Sequence, residues 1–163
     1  MIRKMEENEI AECAALISGS FMTVADEFGF TRENAPRFTA FATTPERIWY
    51  QMNVEKRPMY VYAEDDGRIR GYYSLALQEK GICELNNLCV HPDSRHQGIG
   101  DMLISDAFRE AGDLGCSMMK IGIVEENTVL RKWYESKGFL HTGTVKYDFF
   151  PFTCGYMEKD LRI

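Results

Sequence analysis

The chain has 163 residues, 45% of them hydrophobic and 27% charged, with a formal net charge of −6; it is long enough to bury a core and too apolar to be disordered. An acidic balance repels phosphate backbones, so no nucleic-acid partner is expected, whereas a cationic amine is tolerated. No apolar run reaches the ~20 residues that span a bilayer, and Cys13, Cys83, Cys89, Cys116 and Cys154 form neither a CxxC pair nor a cluster with histidine, so no membrane, metal or disulfide framework is expected and the chain reads as cytoplasmic with reduced thiols.

Ile2 to Glu6 reads as a short first strand. Asn8 is placed to cap a helix through Ile10, Ala14, Leu16 and Ile17, with Gly19 at its end. From Phe21 to Val54 the chain is rich in aromatics (Phe28, Phe30, Phe38, Phe41, Trp49, Tyr50) and reads as helical in pieces, with Pro36 and Pro45 at helix starts. Met59 to Ala63 reads as a strand, Asp65-Asp66-Gly67 as a turn, and Ile69 to Leu77 as the hairpin partner. Gly81 opens a further strand, Ile82 to Val90, in which the alternation slips. Leu85 is in phase with Asn87, yet the apolar residues that follow, Leu88 and Val90, have the opposite parity. A slip of one residue predicts a β-bulge near Asn86-Asn87.

Gly98 to Ala111 has helical periodicity, with Ile99, Met102, Leu103, Ala107, Phe108 and Ala111 on one face and Asp101, Asp106, Arg109 and Glu110 on the other. Gly112 and Gly115 follow it. Met118 to Val124 reads as a strand, most simply given an apolar start by Met118-Met119. Asn127 or Thr128 caps a helix through Val129, Leu130, Trp133 and Tyr134, stopped at Gly138 with Phe139 folding back. Gly143 to Leu161 carries two more strands around Pro151. This order predicts an α/β (α+β) mixed sheet flanked by helices, in one domain over residues 1–163.

The chemistry concentrates where Val90-His91-Pro92 is followed by Arg95-His96-Gln97-Gly98-Ile99-Gly100. A strand ends, a glycine-containing loop opens a helix, and Arg95 adds a fixed charge. Unpaired helix N–H groups and missing Cβ atoms make such a loop suitable for a diphosphate. Leu103 stands where a dinucleotide fingerprint needs its third glycine, and Asp101 where a P-loop needs lysine. By itself the Gly98-x-Gly100 pair is equally a tight turn that binds nothing.

The V-H-P step, the R-x-x-G-x-G loop, and Asn127 followed by Tyr134 and Gly138-Phe139 together resemble the two motifs of the GNAT superfamily of N-acetyltransferases, in the family's order and spacing. The resemblance covers Ile69 to Leu161 and is loose in the N-terminal third. It implies a mostly antiparallel, twisted mixed sheet splayed between the fourth and fifth strands. It implies that Arg95, His96, Gln97, Gly98, Ile99 and Gly100 wrap the pyrophosphate of acetyl-CoA, and that Leu88, Cys89 and Val90 pair with its pantetheine arm. The N–H freed by the bulge, that of Leu88, then polarises the thioester carbonyl. Asn127 matches a contact to the CoA arm and can cap its helix as well. Tyr134 matches the general acid, although a core aromatic fits the same position. Glu84 is the candidate base, with a solvated strand charge as the plain alternative; Gly122 occupies the place where some members carry a base. His91, His96 and His141 are read as surface or packing residues.

The implied reaction is transfer of an acetyl group from acetyl-CoA, as co-substrate and without metal, to a primary amine by direct attack in a ternary complex, with no cysteine as nucleophile. The acceptor is expected to be a small molecule, in a pocket lined by the Phe21 to Tyr50 segment; Asp26, Glu27 and Glu33 read as surface charge. The other readings are a non-catalytic acyl-CoA-binding regulatory module and an acetyltransferase of protein N-termini or aminoacyl-tRNA, the last disfavoured by the net charge. Dimers are frequent in the family, which leaves a homodimer open.

Overall fold

Ile2–Lys4 (β1) adds to the edge of a sheet in which it and the next strands, Met59–Ala63 (β2), Ile69–Leu77 (β3) and Ile82–Val90 (β4), pair antiparallel in that order. Met118–Val124 (β5) lies parallel to β4, and Leu140–Val145 (β6) and Cys154–Asp160 (β7) complete the order β1-β2-β3-β4-β5-β7-β6. The computed structural model describes residues 1–162; Ile163, part of the domain expected above, lies outside the described residues.

Two irregularities shape the centre of the sheet. Tyr72 pairs with Cys89 and Ser74 with Asn86, so the single residue Tyr73 faces two, Asn87 and Leu88. This is the bulge that the slip in alternation predicts, and Asn87 takes up the extra length with a left-handed φ of 56°. The second is the short seam between β4 and β5, whose parallel pairing consists of Ile82–Met118, Cys83–Met119 and Glu84–Lys120. Beyond Glu84 the two strands diverge, which is the splay expected between the fourth and fifth strands.

The helices differ from the sequence expectation at their ends. Ile10–Phe28 (α1) is one helix that passes through Gly19. A mid-helix glycine costs roughly 1 kcal/mol, but the face formed by Cys13, Ala14, Leu16, Ile17 and Ser20 is buried against the sheet and outweighs it. The helix stops at Gly29, whose φ of 75° suits glycine. Asn8 does not cap it: residues Glu7–Glu9 form a 3-10 turn in which the Glu6 N–H donates to Glu9 Oε1 at 2.8 Å. Pro36 lies in a turn and starts no helix, the short α2 (Thr39–Ala42) beginning three residues later; Pro45 does open Pro45–Asn53 (α3), where Thr44 Oγ1 accepts from the Arg47 N–H at 3.2 Å.

Ile99–Asp113 (α4) and Thr128–Ser136 (α5) cover one face of the sheet, burying Leu75, Leu85, Leu103, Ile104, Ile121 and Phe139 together. The other face takes α1 and α3 over Val61, Tyr72 and Cys89. The polar stripe read for α4 needs one correction. Tyr60 and Tyr73 stack in the core at 4.8 Å and require acceptors for their hydroxyls. The Tyr73 hydroxyl donates to Asp106 at 2.6 Å and that of Tyr60 to Glu110 at 3.0 Å, so these carboxylates face the sheet, while Met102 is 43% exposed. Gly112 lies within α4, which runs on to Asp113.

A Cβ at Gly71 would stand 2.7 Å from Leu103 Cδ1 and 3.3 Å from both Ile99 Cγ2 and Tyr62 Cβ. Leu103 is fully buried and has nowhere to retreat. Gly71→Ala is expected to lower stability by about 1–3 kcal/mol through overpacking. Urea unfolding measures it; a midpoint equal to wild type would show that α4 can shift away from β3.

Candidate active site

The turn after β4 is built before any ligand arrives. The His91 Nδ1 accepts from the Asp93 N–H at 3.1 Å and starts the short turn Pro92–Ser94. The chain then takes left-handed values at His96 (φ 63°) and Gly98 (φ 83°) and enters α4. No atom lies within 4 Å of where a Gly98 side chain would begin. The first bond of the helix is donated by Met102 to the Gly98 carbonyl, at 3.1 Å, which leaves the N–H groups of Ile99, Gly100 and Asp101 without helical partners. Such a turn is an anion cradle.

A cleft of about 560 Å³ opens over this turn, lined by Leu88, Cys89, Val90, Arg95, His96, Gly98, Ile99 and Gly100 on one side and by Asn127, Val129 and Trp133 on the other. Gln97 is exposed and is not among its lining residues. Arg95 lines the cleft, but its guanidinium is engaged: it donates to the Ser20 carbonyl and Thr23 Oγ1, each at 3.1 Å, and to the Val90 carbonyl at 3.4 Å. It therefore ties α1 to the loop, a structural role that the spacing of the motif did not suggest.

A second cavity, of about 320 Å³, lies in the splay between β4 and β5. It shares Leu88, Asn127 and Leu130 with the first, so the two meet at the bulge. Asn87 and Leu88 have no partner in the β3 register, which takes the Leu88 amide out of the regular ladder. The Asn127 Oδ1 caps α5 by accepting from the Leu130 N–H at 3.2 Å, and its amide nitrogen is left for the cavities.

Tyr134 and Glu84 both line this second cavity. The Tyr134 ring, 6% exposed, packs edge-on against Phe139 and Trp133, and its hydroxyl has no hydrogen-bond partner among the described residues. Burial raises its pKa above the ordinary tyrosine range, and the neighbouring Cys89 adds to the effect. Burial also raises the pKa of Glu84, while the charges of Arg57 and Lys120 oppose it. The thiol of Cys89 is pushed up to about 12 by burial, so it is a neutral thiol in this site. Gly122 lines the wall and brings no base.

The far wall is aromatic. Phe38, Phe150 and Phe152 line it, and Phe152 packs on Phe30 at 4.8 Å and on Phe38 at 5.7 Å, so the segment after α1 meets the β6–β7 loop there. Of the Phe21 to Tyr50 segment, Phe21, Val24, Arg37, Phe38 and Thr39 line the cavity; Trp49 and Tyr50 are exposed on α3 and do not. His96 is exposed, and His141 pairs with Glu125 at 2.8 Å. Asn86, read from the sequence only as part of the bulge, and Arg57, which belongs to no motif and precedes a strand far from Glu84 in the chain, complete the surroundings of Glu84.

Among known families, the one described as the acetyltransferase (GNAT) family matches residues 26–139. A stretch of 58 residues, 36% of the chain, is 38% identical to mycothiol acetyltransferase of Mycolicibacterium vanbaalenii, covering 19% of that protein. YwnH of Bacillus subtilis strain 168, provisionally named a phosphinothricin acetyltransferase, is 26% identical over 61% of the chain and 65% of its own length. The chain thus spans less than two thirds of either relative. Over 99% of the chain it superposes on 93% of yncA from Salmonella typhimurium, solved with its cofactor acetyl-CoA, with TM-score 0.75 and 21% identity. The ribosomal-protein-alanine N-acetyltransferase of Brucella melitensis aligns with 98% of the chain and 99% of its own, with TM-score 0.71 and 21% identity. The structural likenesses establish the fold.

Proposed function

The chain belongs to the GNAT acetyltransferase family, and on that premise we propose that it transfers an acetyl group from acetyl-CoA to the primary amine of a small molecule, by direct attack in a ternary complex. The observation that carries this reading is the meeting of the two cavities at the β4 bulge, with Tyr134 and Glu84 both in the wall of the inner one.

The residues present fit acetyl-CoA. The free N–H groups of Ile99 to Asp101 and the open space over Gly98 suit its diphosphate. The edge of β4 at Leu88, Cys89 and Val90, which has no β5 partner, suits the amides of the pantetheine arm. When bound, acetyl-CoA supplies an acyl thioester. The protein's part is then threefold: Glu84 accepts the proton that the amine must lose, the Leu88 amide faces the developing charge on the carbonyl oxygen, and Tyr134 holds a proton at its hydroxyl for the departing sulfur.

The aromatic closure around Phe152 supports a small acceptor over an extended peptide. The curated relatives point the same way, both being named for small molecules.

Calorimetric titration with acetyl-CoA and with CoA, beside a thiol-release assay over a panel of small amines and peptide N-termini, tests the reading. Micromolar binding and turnover of a small amine are expected. In Gly98→Ala the left-handed backbone is strained by roughly 1 kcal/mol and a methyl group enters the diphosphate space, so acetyl-CoA affinity should fall by about tenfold or more. Unchanged affinity in that variant would remove the loop from the binding site. Binding without turnover of any amine would favour an acyl-CoA-binding regulatory module.

A further inference from the structure

Between α3 and β2 the chain makes a strained step. Lys56 has a φ of 56°, left-handed for a residue with a side chain, which costs on the order of 1 kcal/mol. The step is fixed on both sides: the Glu55 N–H donates to the Tyr50 carbonyl at 3.1 Å and the Arg57 N–H to the Gln51 carbonyl at 3.0 Å. Its result is to set Glu55 and Arg57 side by side. The Arg57 Nε and Nη2 both donate to Glu55 Oε2, at 3.0 and 2.7 Å, and the arginine side chain is only 17% exposed.

This leaves Nη1. The amide of Asn86 is assigned the orientation that satisfies both of its polar neighbours. Its oxygen then accepts from Arg57 Nη1 at 3.1 Å, and its nitrogen donates to Glu84 Oε1 at 2.8 Å. Glu84 and Asn86 are two apart on β4 and project to the same face of the sheet. A line of hydrogen bonds thus runs from Glu55 through Arg57 and Asn86 to a carboxylate in the cavity wall.

From this line, and resting on the reading of Glu84 as the base, we infer that Arg57 is a positioning residue, which acts through the Asn86 amide to fix the Glu84 carboxylate and to favour its ionised form against the burial that opposes it. A prop for the loop would need only the Glu55–Arg57 pair. The third nitrogen of the guanidinium, Nη1, donates to Asn86, whose amide can serve the arginine and the glutamate together in one orientation only. The other groups that face Glu84 are Gln78, whose Nε2 donates weakly to Oε2 at 3.5 Å, Lys120 on β5 and Tyr156 on β7. Lys120 is exposed and its field is screened by solvent; Arg57 is the more buried cation.

The test is carbon-13 NMR titration of the glutamate side-chain carboxyls, with the Glu84 resonance identified by its loss in Glu84→Gln. In Arg57→Met the Glu84 midpoint should rise by about half a pH unit or more, and in Asn86→Ala it should rise with Arg57 still present. Arg57→Lys, which keeps the charge, should shift it less. With an amine from the thiol-release panel, the acid limb of kcat/KM should move up in parallel in Arg57→Met. A Glu84 midpoint unmoved in both Arg57→Met and Asn86→Ala, with activity lowered by one factor at all pH values, would reduce Arg57 to a loop prop and overturn the inference. Asn86→Ala decides the matter alone if Arg57→Met does not fold. Wild-type turnover by Glu84→Gln would sink the base reading itself, whereas an inactive Glu84→Gln beside unmoved midpoints would sink this inference only.

Discussion

Tyr134→Phe is expected to lower acetyl transfer by about 10²-fold or more while acetyl-CoA affinity stays within about threefold. The ring is 6% exposed and packs on Phe139 and Trp133, contacts that phenylalanine keeps. The hydroxyl has no partner among the described residues, so its removal strands no donor or acceptor, and stability should change by no more than about 0.5 kcal/mol. What is lost is a proton held at the cavity wall. Burial raises the pKa of this hydroxyl, so it stays protonated to a higher pH than the ~10 of a free tyrosine. The wild-type rate should therefore show no fall attributable to Tyr134 below about pH 10. Steady-state thiol release and calorimetry on the same preparation separate the effects. Full activity in the phenylalanine variant would return Tyr134 to the core as a packing residue; equal losses of binding and rate would place it in the cofactor cleft.

Glu84→Gln should lower kcat/KM near neutral pH by about 10²-fold. In the wild-type protein burial gives Glu84 a higher proton affinity than an ordinary carboxylate. The ionised base therefore forms at higher pH than usual, and kcat/KM should climb with pH through that raised value. In the glutamine variant that limb disappears and only the protonation of the acceptor amine remains. Stability should move the other way. A carboxyl whose folded pKa is raised stabilises the fold fully below its unfolded pKa and loses that contribution as pH rises through the folded pKa. Glutamine, which has no charge to bury, should therefore be at least as stable as glutamate at neutral pH. Denaturant midpoints at two pH values test this; a midpoint lower than wild type at neutral pH would mean that the ionised carboxylate is a net structural support.

Much of the fold was legible where its signals are local. The apolar run Met59–Ala63, the alternation of Ile82–Val90 up to its slip, and the Asn127 cap act over a few residues and are read directly. Even the bulge is visible as the change of parity after Leu85. The reading misled where tertiary packing overrode local preference. Gly19 should weaken a helix, yet one buried face carries α1 through it. Asp106 has helical spacing that suits solvent, yet a tyrosine from β3 needs its oxygen. The site divides in the same way. The anion loop, Asn127 and Tyr134 lie in motifs, whereas Arg57 and Asn86 come together through a step at Lys56 that no periodicity announces. The engagement of Arg95 with α1 is likewise a contact across 75 residues, beyond the reach of spacing.

The short seam of β4 and β5 has a mechanical meaning as well. Three residue pairs join two plates, β1 to β4 and β5 to β7, whose inner strands are held by longer antiparallel ladders. Past this seam no ladder joins β4 to β5, and the two plates are tied through side chains packed under α4 and α5. A ligand laid along both edges would act as a strut between them. Its binding energy would then appear as resistance to unfolding, about 2.7 kcal/mol at a hundred times its dissociation constant. The same gap that would admit the ligand would thus make the protein's resistance to unfolding depend on occupancy.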